Sequence, residues 1–261
     1  MKVGISTASL FRRKETEDAL SCIAELGAEV CEVHLQTYYE YRPEFAKKFA
    51  ERAAGVEVNS VHARPFNFEP QLFSPSRRVR GDGFYWLDQI MRSAQLFGAK
   101  NYTFHGVIRK PSTNEHFDGW GAYMREITEF CARYGVSLCL ENTAWGTYNR
   151  PGIFSELKNR CQGLKGVFDI KQARQSGYPY TMYLKDMCGA ISYAHLSDVD
   201  EEGHICLPGK GIYGFAEIFA RLNDAGFDGP VLIETPDFND LSELKTSLEF
   251  LRETADKYSK M

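Results

Sequence analysis

Short apolar, β-branched runs alternate with longer segments of helical period along the chain, each strand-like run being followed by a helix-like one. The first run spans 2–6, and the helix after it, over 16–26, is stopped by Gly27 as a C-terminal glycine commonly does. Further strands are predicted at 29–35, 56–62 and 101–105, alternating with helices at 43–54, 80–97 and 120–134. The second half repeats the alternation, with strands at 136–141, 166–169, 190–195 and 230–234 and helices at 153–159, 181–186, 215–225 and 241–258. Eight strand–helix units in strict order predict a parallel sheet with right-handed crossovers. A doubly wound open sheet satisfies the same alternation. Eight units in 261 residues fit a closed (β/α)8 TIM barrel better, because that fold typically takes roughly 250 residues. No linker or low-complexity stretch marks a second domain, so 1–261 is read as one α/β barrel domain.

The strand bodies are apolar, but their last residues are not. In chain order the ends carry His34, His62, His105, Glu141, Asp169, His195 and Glu234. In a (β/α)8 barrel these positions converge on the C-terminal mouth, where catalytic groups gather. A lone strand-end carboxylate is usually a helix cap or the partner of a lysine, and a lone histidine is more often a hydrogen-bonded core residue than a ligand. Seven at equivalent positions are harder to explain that way. Burying several carboxylates together costs several kcal/mol per ion unless they are paired or bind a cation. Carboxylate and imidazole donors suit Mn, Mg, Co, Fe or Zn, and the sequence does not choose among them.

Composition narrows the field. Hydrophobic residues make up 43% and charged residues 25%, ordinary for a soluble globular chain. The net charge of −4 argues against a phosphate-backbone footprint, so no nucleic-acid partner is expected. Seven scattered cysteines without a CxxC pair point to reduced thiols and a cytoplasmic location. Neither a signal-like N-terminus nor an uninterrupted apolar span is seen, so no membrane partner is expected. No patch in the sequence settles whether the chain forms a homo-oligomer.

The most specific segments are Leu140-Glu141-Asn142, Phe168-Asp169, Ala194-His195-Leu196-Ser197-Asp198, Pro208-Gly209-Lys210-Gly211 and Leu232-Ile233-Glu234. In these the chain resembles, over essentially its whole length, the xylose isomerase-like barrel superfamily, particularly its sugar phosphate isomerase/epimerase group. In the ketose 3-epimerase members one metal is held by a Glu, Asp, His and Glu from strands five to eight. The resemblance therefore implies one divalent ion (Mn, Co, Mg or Zn) on Glu141, Asp169, His195 and Glu234. It also implies that Glu141 and Glu234 act as the acid/base pair that moves a proton at a carbon beside a carbonyl of a small sugar-like substrate. Dehydration on the same site, as in inosose dehydratase-like members, is the alternative, and a non-catalytic sugar-binding barrel is a third.

One position departs from the family. A histidine usually stands three residues after the strand-six aspartate, and here it is Gln172, which hydrogen-bonds but cannot become a cation. Lys171 beside it offers a charge either to a substrate anion or to a rim carboxylate. The superfamily also contains apurinic-site endonucleases with three zinc ions, whose strand-three and strand-four histidines are ligands. Gln172 and the missing Asp-x-His pair after strand seven leave that set incomplete, so His62 and His105 are expected to line a sugar pocket.

Smaller features complete the expectation. The Pro208-Gly209-Lys210-Gly211 turn is a candidate anion site, although an ordinary loop is the simpler account. His204 is a candidate substrate contact, and Trp145 a candidate stacking face for a sugar ring. Phe66, Phe68 and Glu69 are candidates for a lid, and Glu32 and His34 for a buried hydrogen-bond network without a catalytic role.

Overall fold

The computed structural model describes residues 1–108 and 117–258. Within them lie the strands β1 (Val3–Ser6), β2 (Val30–Leu35), β3 (Glu57–Ala63), β4 (Asn101–Phe104), β5 (Ser137–Glu141), β6 (Lys165–Asp169) and β7 (Ile191–Leu196). A hairpin of β8 (Asp198–Val199) and β9 (Ile205–Cys206) follows, and then β10 (Val231–Ile233). Eight of these strands, β1 to β7 and β10, close a parallel barrel in the order β1-β10-β7-β6-β5-β4-β3-β2. The fold is the expected (β/α)8 barrel.

Helices α1 (Thr16–Glu25), α2 (Pro43–Phe49), α3 (Arg77–Phe97), α4 (Phe117–Ala132), α5 (Ile153–Arg160), α6 (Ile170–Gln175), α7 (Tyr180–Asp186), α8 (Phe215–Asp224) and α9 (Leu241–Tyr258) surround it. They bury apolar residues in a core shared with the strands. In α8 these are Phe215, Ile218, Phe219 and Leu222, spaced by three and four residues as one helical face requires. No helix among the described residues is long and apolar enough to cross a membrane.

The strand interior explains where the site falls. Val30, Cys139, Val167, Tyr193 and Leu232 form a small buried cluster of their own, apart from the larger core between strands and helices. Side chains two residues apart on a strand share a face. Stepping two residues toward the mouth from these five gives Glu32, Glu141, Asp169, His195 and Glu234. An apolar floor thus lies one layer below a buried ionisable layer.

Two elements depart from the sequence reading. Between β6 and the helix expected at 181–186 stands α6, capped by Asp169, whose Oδ1 accepts from Gln172 N at 2.8 Å. Six residues are too few for a helical period to register. The β8–β9 hairpin was equally unreadable, since two-residue strands cannot show alternation.

Candidate active site

Glu141, Asp169, His195 and Glu234 each offer one donor atom, and these atoms all lie within 4.8 Å of one another. Their Cα positions follow from the ladder: Asp169 is in register with His195 on β7, and His195 with Leu232 on β10, two residues before Glu234. His195 Nδ1 is 2.8 Å from Glu141 Oε1, 3.2 Å from Glu234 Oε2 and 3.9 Å from Asp169 Oδ2. The other ring nitrogen, Nε2, lies 3.2 Å from Glu32 Oε1, off the line of a hydrogen bond.

Glu32 is fully buried and is the hub of the layer. It accepts hydrogen bonds from Ser6 Oγ, Ser60 Oγ and Thr103 Oγ1 and from His62 Nδ1 at 3.2 Å. Burial works against its charge, but the neighbouring His195 and His62 hold the carboxyl well below its ordinary range. The expected buried network around Glu32 is present. His34 contributes less to it, for its Nδ1 has no hydrogen-bond partner and burial pushes the ring down to about 3, so it is neutral.

His62 and His105 face each other with Nε2 atoms 3.1 Å apart, and His105 Nε2 also reaches Glu141 Oε2 at 2.9 Å. Burial opposes charge on His105, yet Glu69 and Glu141 on either side raise it to about 10. Glu141 responds in kind: burial would raise its carboxyl, but the hydrogen bonds from His105 and His195 bring it down to about 2. Burial, opposed by Lys171 and reinforced by Glu141 and Glu234, raises Asp169 to about 7. Lys171 Nζ stands 3.6 Å from Asp169 Oδ2 and 3.4 Å from Glu234 Oε2, so the rim-carboxylate partnership is realised. Gln172 is engaged too, its Oε1 accepting from Ala144 N at 3.2 Å.

Above the layer is a cavity of about 280 Å³. His62, His105, Trp145, Lys171 and Gln172 all line it, along with Glu141 and Glu234. Trp145 stacks on His105 with ring centroids 5.2 Å apart, and Phe66 lies 4.9 Å from Trp145. The cavity falls below the roughly 300–1,000 Å³ of sites for drug-sized ligands, which suits a small molecule.

A model of the xylose isomerase-like TIM barrel matches residues 20–254. The chain belongs to the xylose isomerase-like TIM barrel family. This xylose isomerase-like barrel is 24% identical, over 95% of its length and 88% of the relative's, to an uncharacterized protein of Methanocaldococcus jannaschii. Its fold matches that of D-psicose 3-epimerase from Clostridium cellulolyticum H10, solved with D-tagatose, with a TM-score of 0.77 at 16% identity, covering 98% of this chain and 99% of that one. It also matches an IOLI protein with a bound zinc atom, with a TM-score of 0.74 at 18% identity, covering 99% and 96%.

Several expected contacts of this xylose isomerase-like barrel fall elsewhere. His204 sits on the exposed β8–β9 turn, its side chain 78% exposed and paired with Asp200 at 3.2 Å, and it does not line the cavity. The Pro208-Gly209-Lys210-Gly211 turn is not free to hold an anion. Asp198, fully buried, accepts from the backbone N–H groups of Val199, Gly209, Gly211 and Tyr213 and consumes its donors. Only glycine fits at 211, where a Cβ would fall onto Val199 O.

Of the three lid candidates, Phe66 alone is exposed over the cavity. Phe68 is buried against Tyr41. Glu69 is fully buried, accepting from Tyr102 Oη and from the backbone N–H groups of His105 and Gly106. It thereby fixes the end of β4, a role that sequence spacing gives no way to see because its partners lie more than thirty residues away.

Proposed function

We propose that this barrel is a divalent-metal-dependent isomerase or epimerase acting on a small sugar, sugar phosphate or related polyol. The observation that carries the reading is the convergence of Glu141, Asp169, His195 and Glu234, two of which, Glu141 and Glu234, line one small cavity. The donor set fits such an ion. Three buried carboxylates repel one another without a cation, and the rise of Asp169 to about 7 expresses that cost on top of burial. The D-psicose 3-epimerase and the zinc-holding IOLI protein among the fold's neighbours support the same choice.

In this reading those four residues hold the ion, whether Mn, Co, Mg or Zn. When bound, it supplies the charge that polarises a substrate carbonyl. Glu141 and Glu234 do the proton work. One takes the proton from the carbon beside the carbonyl, and the other returns a proton to that carbon from the opposite face, inverting it. Return to the neighbouring carbon gives isomerisation instead. Against the opposing effect of burial, His105 and His195 hold Glu141 ionised and His195 and Lys171 hold Glu234 ionised, so the base is ready. The partner that returns a proton must first take one up, and the charged His105, with Nε2 2.9 Å from Glu141 Oε2, supplies it to Glu141. Trp145 and Phe66 line the cavity side by side.

The test is turnover of a panel of ketoses and ketose phosphates in D2O by metal-loaded protein, followed by NMR. The expected result is deuterium at the carbon next to the carbonyl together with an epimer or isomer of unchanged composition. Loss of water would move the protein to the lyases. A metal-loaded protein that exchanges no proton on any member of the panel would overturn the reading.

A further inference from the structure

We infer that Gln36 and Arg64 form a subsite for an anionic group of the substrate, an oxyanion carried at the end remote from the reacting carbon. The inference rests on the proposed function only in taking the same cavity as the substrate site.

Its geometry comes from two neighbouring strands. His34 on β2 is in register with His62 on β3, and the ladder continues past them, Arg64 N donating to Leu35 O at 2.9 Å. Gln36 and Arg64 are each two residues beyond that histidine pair. They stand just past the ends of β2 and β3, Gln36 half-buried and Arg64 exposed at the mouth. Both residues line the cavity.

Neither is spoken for. Among the described residues, the Arg64 guanidinium has no ion pair, hydrogen bond or aromatic partner, and the Gln36 side-chain amide has no hydrogen bond. This sets Arg64 apart from the other cations of the cavity, Lys171 being taken up by Asp169 and Glu234 and His105 by Glu69 and Glu141. Directly below, the neutral His34 leaves its buried Nδ1 without a partner. Three unengaged polar groups thus border one side of a small cavity.

Their position fits a substrate lying across the mouth. In the circular strand order, β3 is opposite β7 and β2 is opposite β6, so the pair faces His195 and Asp169 across the barrel. A molecule with its carbonyl at the carboxylate layer presents its far end to Arg64. A planar guanidinium with a free amide beside it matches the oxygens of a phosphate or a carboxylate. The remaining lining near them, Phe11, Pro65 and Phe66, offers no competing charge.

The experiment is calorimetric titration of manganese-loaded and of chelated protein with D-ribulose 5-phosphate, D-fructuronate and D-ribulose, for the wild type, Arg64→Ala and Arg64→Lys. The wild type is expected to bind one anionic probe about tenfold or more tightly than neutral ribulose, as a charge-assisted contact implies. Preference for the first probe assigns phosphate, and preference for the second assigns carboxylate. Arg64→Ala is expected to remove the preference while leaving ribulose affinity and manganese content unchanged, and Arg64→Lys to keep part of it. Equal binding of charged and neutral probes, no binding of either anion, or a preference that survives Arg64→Ala would overturn the inference. Failure to retain metal alongside an Arg64-dependent preference would count against the isomerase reading and leave the subsite standing.

Discussion

Nε2 of His195 faces Oε1 of Glu32 at 3.2 Å, while the opposite ring nitrogen faces the carboxylates of the mouth. Although Nε2 is off the line of a hydrogen bond, the nearby negative charge favours a proton there and leaves the Nδ1 lone pair for a cation. Glu32→Gln keeps the shape and one acceptor oxygen, enough for two of the four donors, but removes the charge. It is expected to weaken manganese binding by about 10–100-fold in a calorimetric titration. Glu32→Ala, which strands the Ser6, Ser60, Thr103 and His62 donors, is expected to cost about 3–5 kcal/mol of stability in denaturant unfolding. An unchanged manganese affinity in Glu32→Gln would separate Glu32 from the ion.

Asp169 gives a pH signature. Its folded value of about 7 lies above the ordinary 3.8, so the metal-free folded state binds more protons than the unfolded chain between those values. This residue's contribution to metal-free stability therefore falls as pH rises through that window and is least favourable above about 7. Asp169→Asn, which can still accept from Gln172 N, is expected to melt above the wild type at pH 8 when both are chelated, the gap narrowing toward pH 5. Saturating manganese is expected to reverse the order. Thermal scans of the four samples decide it, and a chelated variant less stable than wild type at pH 8 contradicts the assignment of cost.

Asp198 supports a purely structural prediction. Its carboxylate satisfies four backbone donors of the loop after β7. Asp198→Asn has one acceptor oxygen fewer and no charge, and is expected to lose about 2 kcal/mol, read as a drop of about 4–8 °C in Tm. Manganese content is expected to stay as in the wild type.

These residues also mark what the sequence could and could not say. The strand period placed Glu141, Asp169, His195 and Glu234 on one rim because alternation is a local property, read over two residues. The buried ionisable layer was therefore legible. Glu69 and Asp198 were not, because their work is defined by backbone N–H groups whose positions depend on how a loop returns to the barrel. His204 erred for the opposite reason: nearness in sequence to a strand end does not survive a hairpin that carries the residue into solvent.

Trp145 stacks on His105 with Phe66 beside it, and in the proposed function it meets the apolar face of the sugar. Trp145→Ala is expected to raise KM about tenfold, as loss of a contact of about 1–1.5 kcal/mol gives, with metal content unchanged. Steady-state kinetics on the substrate found by the ketose panel would show it, and an effect confined to kcat would place Trp145 outside substrate binding.

The proposed function requires a single divalent ion on Glu141, Asp169, His195 and Glu234. Its most direct test is elemental analysis of protein purified without a metal-affinity step, before and after incubation with Mn, Co, Mg and Zn, for the wild type and Asp169→Ala. About one ion per chain in the wild type, lost in the variant, is the predicted result. No ion after any incubation, or close to three zinc ions per chain, would contradict the account.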